Sequence, residues 1–309
     1  MEKTVFIINP IAGSRKQRDI KEKILKLTNH SFPETCFFET GKQGEATIIV
    51  KEKVKEGIKR FVAVGGDGTV NEVAQGLVNT KAAVGIIPTG SGNGLARHLG
   101  IPLNLPGAID FLRNARPLAV DYGILNGTPF FCTAGIGFDA LIGHEFSLAG
   151  KRGFFSYLRL ILARFLYYSP QKYIIRINDS EITRVLFLVT FANSSQYGNR
   201  ASIAPQASIK DGFMDVSMLS PFPFYRAFDI GIRLLTKTID SCNYIEIVKC
   251  KEVSVERESP GLVHFDGEPM ITGSHVDVKI IPGGLNVLTR NTTTPEKRGS
   301  LEFDKIYYS

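Results

Sequence analysis

The segment Gly65-Gly66-Asp67-Gly68-Thr69 places three glycines and a carboxylate within five residues, directly after the apolar run 61–64. Glycine lets a backbone approach a ligand closely, and the N-terminus of a following helix presents free N–H groups to an anion. A carboxylate in such a phosphate cradle is suited to hold Mg²⁺ through water or to accept a proton from an attacking hydroxyl. The alternative is a tight strand-to-helix turn without a ligand.

Two further glycine-bearing segments also follow short apolar runs. They are residues 9–14, Asn-Pro-Ile-Ala-Gly-Ser, and residues 88–94, Pro-Thr-Gly-Ser-Gly-Asn-Gly. In a doubly wound sheet the carboxyl ends of the strands converge on the binding crevice, so three such loops together predict a nucleotide site. The sequence contains neither a Walker A motif nor GxGxxG, and therefore does not indicate a P-loop enzyme or a dinucleotide dehydrogenase.

Predicted strands and helices, which would position these loops, alternate along the first 120 residues. Short apolar runs at 5–8, 36–38, 61–64 and 83–87 predict strands, and helix-spaced apolar residues over 16–27, 46–58 and 70–78 predict the helices between them. Buried strands separated by helices are typical of a parallel sheet covered on both faces. We therefore expect an N-terminal doubly wound α/β nucleotide-binding domain.

After about residue 122 the pattern changes to many short strands with turns between them. Strands are predicted at 173–177, 184–192, 214–219, 244–248, 253–256, 262–265, 276–281 and 285–288, with helices at 154–168 and 224–237. This pattern predicts an all-β second domain, an antiparallel β-sandwich. The expected domains are 1–122 and 123–290, and the tail 291–309 is a candidate to complete the first domain.

The composition of the 309 residues narrows the function classes. The 37 basic and 30 acidic residues leave a net charge of +7, which favours anionic partners such as nucleotide phosphates or an anionic membrane surface. The basic residues are scattered, so nucleic acid is not an expected partner. The four cysteines lack metal-ligand spacing. The start of the chain resembles a strand rather than a signal peptide, and the apolar run 153–168 contains two arginines, so we expect a cytoplasmic protein without a spanning helix.

Four motifs in order give the chain a family resemblance: NPIAG (9–13), GGDGTVNE (65–72), PTGSGN (88–93) and FDGEP (265–269). Together they resemble the diacylglycerol kinase catalytic-domain family, which includes bacterial diacylglycerol kinase-like proteins and the sphingosine and ceramide kinases. The resemblance extends to about residue 290. GGDGT alone is shared with NAD kinases and phosphofructokinases, whereas its combination with GSGN and DGE is specific to the lipid kinases.

The resemblance implies roles for individual residues. Around ATP it implies Asn9, Pro10, Ala12, Gly13, Thr40, Gly65, Gly66, Asp67, Gly68, Thr69, Asn71, Ser91, Gly92 and Asn93, with Lys151 and Arg152 as clamps on the phosphates. Asp67, Asp266 and Glu268 would be the catalytic carboxylates, and which of them is the base stays open. Asp139 would meet the lipid head group, and Ser208, Asp211 and Phe213 would form an accessory Mg²⁺ site that uses one carboxylate and backbone carbonyls. Asp121, near the domain junction, is equally suited to a hinge hydrogen bond and to a head-group contact.

These features together predict an ATP- and Mg²⁺-dependent lipid kinase, cytoplasmic or peripheral at the inner face of the membrane. The expected partner is a membrane lipid, diacylglycerol or a sphingoid lipid, and the sequence leaves open whether the chain forms a homodimer. Bacterial diacylglycerol kinases typically carry Asp where this chain has Gly94. The GSGN form of this loop resembles that of the sphingoid-base and ceramide kinases instead. The apolar helix 154–168 would wall a lipid slot. The rivals are a soluble NAD kinase and a lipid- or nucleotide-binding regulator without turnover.

Overall fold

Two β-sheets organise the chain in the computed structural model, which describes residues 3–10, 19–29, 31–33, 36–148, 154–196 and 201–290, with only the backbone at 154–157. The first sheet has ten strands and the second has six. The two sheets pack face to face over the second half of the chain, around one of the protein's two large apolar cores.

The first half is a parallel α/β layer built on fully apolar strands. Its elements are β1 (Thr4–Ile8), α1 (Ile20–Leu27), β2 (Phe37–Glu39), α2 (Glu45–Lys55), β3 (Arg60–Gly65), α3 (Asp67–Leu77), β4 (Ala83–Pro88), α4 (Gly94–His98) and α5 (Leu105–Arg113). The strands pair in the parallel order β2-β1-β3-β4. Helix α2 packs on α3 and α1 on α5, and the inner strands are buried along almost their whole length. The doubly wound α/β prediction is confirmed.

The second half is an antiparallel sandwich with two helical interruptions. Its elements are β5 (Arg116–Leu125), β6 (Thr128–Phe130), β7 (Thr133–Gly137), α6 (Phe138–Leu148), α7 (Phe154–Phe165), β8 (Gln171–Ile177), β9 (Ser180–Leu186), β10 (Leu188–Ala192), β11 (Met214–Leu219), α8 (Ala227–Thr236), β12 (Ile245–Cys250), β13 (Glu252–Arg257), β14 (Gly261–Phe265), β15 (Glu268–Thr272) and β16 (His275–Thr289). A 3-10 turn, Phe224–Arg226, leads into α8. The second sheet has the order β12-β11-β10-β7-β14-β15, antiparallel throughout. The sandwich prediction is confirmed.

Strand β16 carries the first sheet from one half of the chain into the other. Its beginning pairs with β13, and its end pairs in parallel with β4 through Asn286 and Val287. Strand β5 accompanies β16 along almost its whole length and passes through the boundary predicted after residue 122. The bulge between Ile281 and Leu285 divides β16 into the two segments that the sequence predicts as separate strands. The proposed domain limits stay a prediction, and the tail 291–309 lies outside the described residues.

The segment 184–192, predicted as one strand, forms two strands in different sheets. Strand β9 is a largely exposed edge strand paired with β8, whereas β10 is buried between β7 and β11. Phe187, between them, packs in a separate aromatic cluster. The apolar run hides this corner because its residues are buried by two different layers. Among the described helices, none has the length and apolarity to cross a bilayer.

We expect Leu285→Ala to lower the free energy of unfolding by about 2–5 kcal/mol, because Leu285 is fully buried in the first core. Since β5 and β16 contribute to both cores, urea denaturation should keep a single transition. Ile48→Ala, at a position of α2 that is 57% exposed, should stay within about 0.5 kcal/mol of wild type. Two separated transitions in the Leu285 variant would contradict the continuous sheet.

Candidate active site

The loops after β1, β3 and β4 meet at one edge of the first sheet, as their sequence positions predict. The backbone N–H of Asn9 donates to the carbonyl of Val64 at 3.1 Å, and the N–H of Thr89 donates to the carbonyl of Gly65 at 2.8 Å. Thr40, at the end of β2, is buried and joins the same edge. Four strand ends are therefore fixed side by side before any ligand is present.

Glycines allow the second and third loops to touch. A Cβ on Gly90 would lie 2.6 Å from the Cα of Gly66, and a Cβ on Gly65 would lie 2.2 Å from Thr69 Oγ1. Asn93 adopts a left-handed conformation with φ 55° and exchanges two hydrogen bonds with Gly90. The first glycines thus serve the packing of one loop on another, and their N–H groups line the N-terminal end of α3.

Asp67 ties these two loops together. One carboxylate oxygen accepts the N–H of Asn93 at 2.8 Å, and the other accepts the N–H of Gly94 at 2.6 Å. A Cβ on Gly92 would lie 2.5 Å from the carboxylate, so only glycine fits there without a shift. Burial raises the pKa of Asp67, and the nearby charge of Asp266 raises it further. Sequence analysis did not predict this loop-joining contact.

Asp266 accepts four hydrogen bonds and is the most fully engaged carboxylate of the site. Its donors are the amide of Asn71 (2.7 Å) and the backbone N–H groups of Phe131 (2.9 Å), Cys132 (2.7 Å) and Thr133 (3.0 Å). Burial raises its pKa. These donors occupy both carboxylate oxygens, and the role of Asp266 as a reactive acid stays a prediction. The Asn71 amide, expected at ATP, donates to Asp266 instead.

Glu268 is the late carboxylate that faces the glycine loop. Its side chain is exposed, and a Cβ on Gly68 would lie 2.9 Å from its Oε1 atom. The carboxylate therefore lies over the first turn of α3, next to the backbone that the sequence assigns to phosphate binding. The second half of the chain thus places an acidic group beside the glycine loop, and its catalytic role stays a prediction.

Asp139, the predicted head-group residue at the start of α6, belongs to a buried polar cluster. Its Oδ2 atom accepts from the Thr190 hydroxyl at 3.0 Å and lies 3.1 Å from His264 Nε2. A Cβ on Gly135 would lie 2.5 Å from the same oxygen, so the GlyIleGly stretch makes room for the pair. Sequence analysis gave no role to His264. The position of His264 directly before the FDGEP motif could have indicated that it lies near the site.

Among the described residues, Asp121 makes hydrogen bonds that suit the predicted hinge role rather than a head-group contact. Its two carboxylate oxygens accept the N–H groups of Gly212 at 2.7 Å and Gly283 at 2.8 Å. Only 4% of the residue is exposed. Asp121 therefore joins the loop before β11 to the bulge of β16.

The residues expected to hold an accessory Mg²⁺ through one carboxylate and backbone carbonyls lie in the loop before β11, and their role as a metal site stays a prediction. Asp211 accepts the N–H of Phe213 at 3.1 Å and pairs with Lys249 Nζ at 2.8 Å, and Lys249 lies 3.2 Å from the buried Asp215. An ammonium group already neutralises these carboxylates. Ser208 accepts the N–H of Lys210 at a long 3.4 Å. The part of the chain that the structure describes holds no group of three or more metal-ligating side chains.

A pocket of about 310 Å³ opens on the other side of the third loop. It is lined by Pro88, Thr89, Gly90, Ser91, Asn93, Arg97, Leu103 and Leu105. Arg97 donates to the carbonyl of Gly92 at 2.8 Å, which fixes the guanidinium at the wall of the pocket. The pocket combines polar loop groups with two leucines, as small-ligand pockets do. Sequence analysis gave no role to Arg97.

Four predicted site residues lie outside the described residues: Ala12 and Gly13 of the first loop, and Lys151 and Arg152 before α7. Their roles stay predictions. Pro10 follows Asn9 at the edge of the described first loop.

Two isosteric substitutions should distinguish the structural roles of Asp266 and Glu268, the two carboxylates of the DGE motif. Asp266→Asn replaces an acceptor by a donor that faces backbone N–H groups, and we expect it to lower the free energy of unfolding by about 1–3 kcal/mol. Glu268→Gln, at an exposed side chain, should stay within about 0.5 kcal/mol of wild type. Urea denaturation of both variants tests this, and equal stabilities would refute the anchoring role of Asp266.

The pKa of Asp67 predicts a pH dependence. Because that pKa is raised in the folded state, the folded chain binds more protons than the unfolded chain, and this group stabilises the fold more as the pH falls towards its ordinary range. The stability of wild type minus that of Asp67→Asn should therefore increase as the pH falls from neutral towards 3.8, the ordinary pKa of the group. Asp179→Asn, in the exposed β8–β9 turn, is the control. A difference that shrinks over this range would contradict the assignment.

Comparison with known proteins identifies the family of both halves of the chain. Residues 3–125 match the family model of the diacylglycerol kinase catalytic domain, and residues 133–289 match the YegS C-terminal NAD kinase beta sandwich-like domain. A relative named "Probable lipid kinase YegS-like" from Chromohalobacter salexigens is 31% identical over 252 residues, covering 80% of this chain and 81% of the relative.

A "Diacylglycerol kinase" from Bacillus subtilis is 28% identical over 295 residues, covering 90% of this chain and 94% of its own. The crystal structure of a diacylglycerol kinase from Bacillus anthracis shares the fold, with a TM-score of 0.70 and 24% identity, over 95% of this chain and 98% of that one. With both halves matched in order, the chain belongs to the family of lipid kinases that join a diacylglycerol kinase catalytic domain to a YegS-type β-sandwich.

Proposed function

We propose that this lipid kinase uses ATP and Mg²⁺ to phosphorylate a hydroxyl of diacylglycerol or of a sphingoid lipid. The observation that carries the proposal is the position of Glu268, which the sandwich places over the glycine loop at the N-terminal end of α3. A carboxylate beside a phosphate-binding backbone is the arrangement that phosphoryl transfer to an alcohol requires.

The nucleotide would bind along the edge where the three glycine-bearing loops meet. Backbone N–H groups at the start of α3 would face the phosphates, because the first turn of a helix leaves its donors unpaired. Asp67 does not need to touch the nucleotide for this role. By gathering the N–H groups of Asn93 and Gly94, it fixes the relative positions of the second and third loops.

Glu268 is the proposed proton acceptor. The acceptor oxygen would attack the γ-phosphorus and form a new P–O bond as the bond to the β-phosphate oxygen breaks, and the hydroxyl proton would pass to the Glu268 carboxylate. Asp266, with four hydrogen bonds already accepted, would position Glu268 through the turn between β14 and β15.

The same edge suits a nucleotide-bound Mg²⁺ better than an all-protein metal site. Mg²⁺ usually binds through one or two carboxylates together with substrate phosphates and water, and Asp67 and Glu268 are the carboxylates at the two sides of the α3 N-terminus. When bound there, the ion would neutralise charge on the phosphates.

The lipid would approach from the side of α6 and α7. Asp139 and His264 place a polar pair behind Glu268, and Ile161 and Phe165 of α7 pack with Phe138 of α6 next to them. This combination of a polar pair and an adjacent apolar cluster suits a hydroxyl-bearing head group with acyl chains. It does not distinguish diacylglycerol from a sphingoid lipid.

The test uses purified protein, γ-labelled ATP and Mg²⁺, with diacylglycerol, sphingosine, dihydrosphingosine, ceramide and monoacylglycerol in mixed micelles and NAD as the soluble control. We expect label in the organic phase. Glu268→Gln should lower kcat at least about 100-fold, the lower range for a positioned acid–base group, and should leave the free energy of unfolding unchanged.

Asp179→Asn is the matched control, since it removes an exposed carboxylate in a turn of the sandwich and should keep full activity. Label on NAD would overturn the proposal in favour of a soluble kinase. Near-wild-type turnover of Glu268→Gln would refute its role as proton acceptor.

A further inference from the structure

Helix α8 exposes apolar side chains on the side that faces away from the protein. Phe228, Ile232 and Leu235, spaced as one helical row, are 79%, 44% and 51% exposed. The opposite side is apolar as well, because Ile230 is buried in a small core under the helix. A helix that is apolar on both sides normally has a partner on each.

The exposed row continues onto α7. The ring centroid of Phe224, in the turn before α8, lies 5.6 Å from that of Phe165 on α7. On the outer side of α7, Leu158, Leu162 and Leu166 form a second exposed row. We call this surface the α7–α8 face; it consists of Leu158, Leu162, Leu166, Phe224, Tyr225, Phe228, Ile232 and Leu235. Apolar surfaces of this extent mark binding sites in monomeric proteins.

Basic side chains surround the α7–α8 face. Arg159, Arg226 and Lys237 are exposed, and within the described residues no salt bridge involves them. The acidic groups nearby are compensated: Asp229 pairs with Arg233, and Glu145 pairs with Arg164. The rim therefore carries a positive charge that an anionic surface would complement.

A chain of hydrogen bonds connects helix α8 to the candidate active site. The carbonyl of Leu234 on α8 accepts the N–H of Ser202 at 2.8 Å, and the Ser202 hydroxyl donates to the carbonyl of Ser195. The Ser195 hydroxyl lies 3.3 Å from His98, which ends the short helix after the third loop. A surface that docks on α8 is thus connected to the nucleotide edge through a few buried hydrogen bonds.

We propose that the α7–α8 face docks on an anionic lipid bilayer, with the aromatic and aliphatic row in the interface and the basic rim at the lipid head groups. Apolar rows flanked by arginine and lysine are the features by which interfacial helices bind anionic membranes. The proposal rests on the proposed lipid kinase function, to which it adds the surface that brings the cleft to its substrate.

The test measures co-sedimentation of the full chain with vesicles of phosphatidylcholine alone or mixed with phosphatidylglycerol. We expect wild type to bind the mixed vesicles more tightly, and less tightly as salt increases. The double variant Phe228→Ser, Ile232→Ser should bind at least about tenfold more weakly, and Arg226→Gln, Lys237→Gln should lose the preference for phosphatidylglycerol.

Ile48→Ser on α2 is the matched control, because it removes a comparably exposed apolar side chain away from the face and should bind as wild type. Phosphorylation of the water-soluble acceptor dihexanoylglycerol should be unchanged in the Phe228, Ile232 variant, which shows that its fold and chemistry are intact. Phosphorylation of long-chain lipid in vesicles should fall with binding.

The outcomes separate the face from the catalytic proposal. Vesicle binding that depends on Phe228 and Ile232, in a protein that phosphorylates none of the lipids, would support the face and refute the kinase proposal. Lipid phosphorylation with vesicle binding unaffected by the double variant would overturn the face. A wild-type dimer that the same variant converts to a monomer, with vesicle binding retained, would overturn it in favour of a second copy of this chain.

Discussion

A single buried carboxylate, Asp266, joins the two halves of this protein at the point where they form the cleft. It accepts hydrogen bonds from the amide of Asn71 on α3 and from three consecutive backbone N–H groups at the start of β7. Removing a carboxylate from water raises its pKa and is unfavourable unless hydrogen bonds compensate it. Because the donors come from both halves, this compensation is complete only when the halves are docked. The position of Glu268, two residues later, depends on that docking.

Asp67 uses the same chemistry within the first half. It accepts two backbone N–H groups of the third loop, and the glycines around it are small because the loops and the carboxylate approach closely. Two of the three carboxylates predicted to be catalytic, Asp67 and Asp266, therefore organise the backbone of the site. The exposed Glu268 differs from both, since its side chain lies above the helix end rather than beneath the loops.

The fold was predictable from sequence because its signals are local. Apolar runs such as 61–64 and 83–87 define parallel strands that helices cover, and the later alternation defines the sandwich. The contacts that the sequence did not predict join residues that are far apart in the chain. Asn71 and Asp266 are 195 residues apart, and no local pattern shows that one binds the other. The corner at Phe187 and the pairing of β16 with β4 also depend on which layer buries each segment, information that periodicity does not carry.

The continuity of the first sheet bears on how a lipid could reach the cleft. Strands β5 and β16 cross from one core to the other, so the two halves share backbone hydrogen bonds as well as the Asp266 contacts. A wide opening between the halves would break both sets at once, at a free-energy cost of several hydrogen bonds. A long-chain lipid is instead expected to enter from the edge of the cleft while its chains remain in the bilayer. That route requires an apolar, positively charged docking surface, and this is the role proposed above for the α7–α8 face.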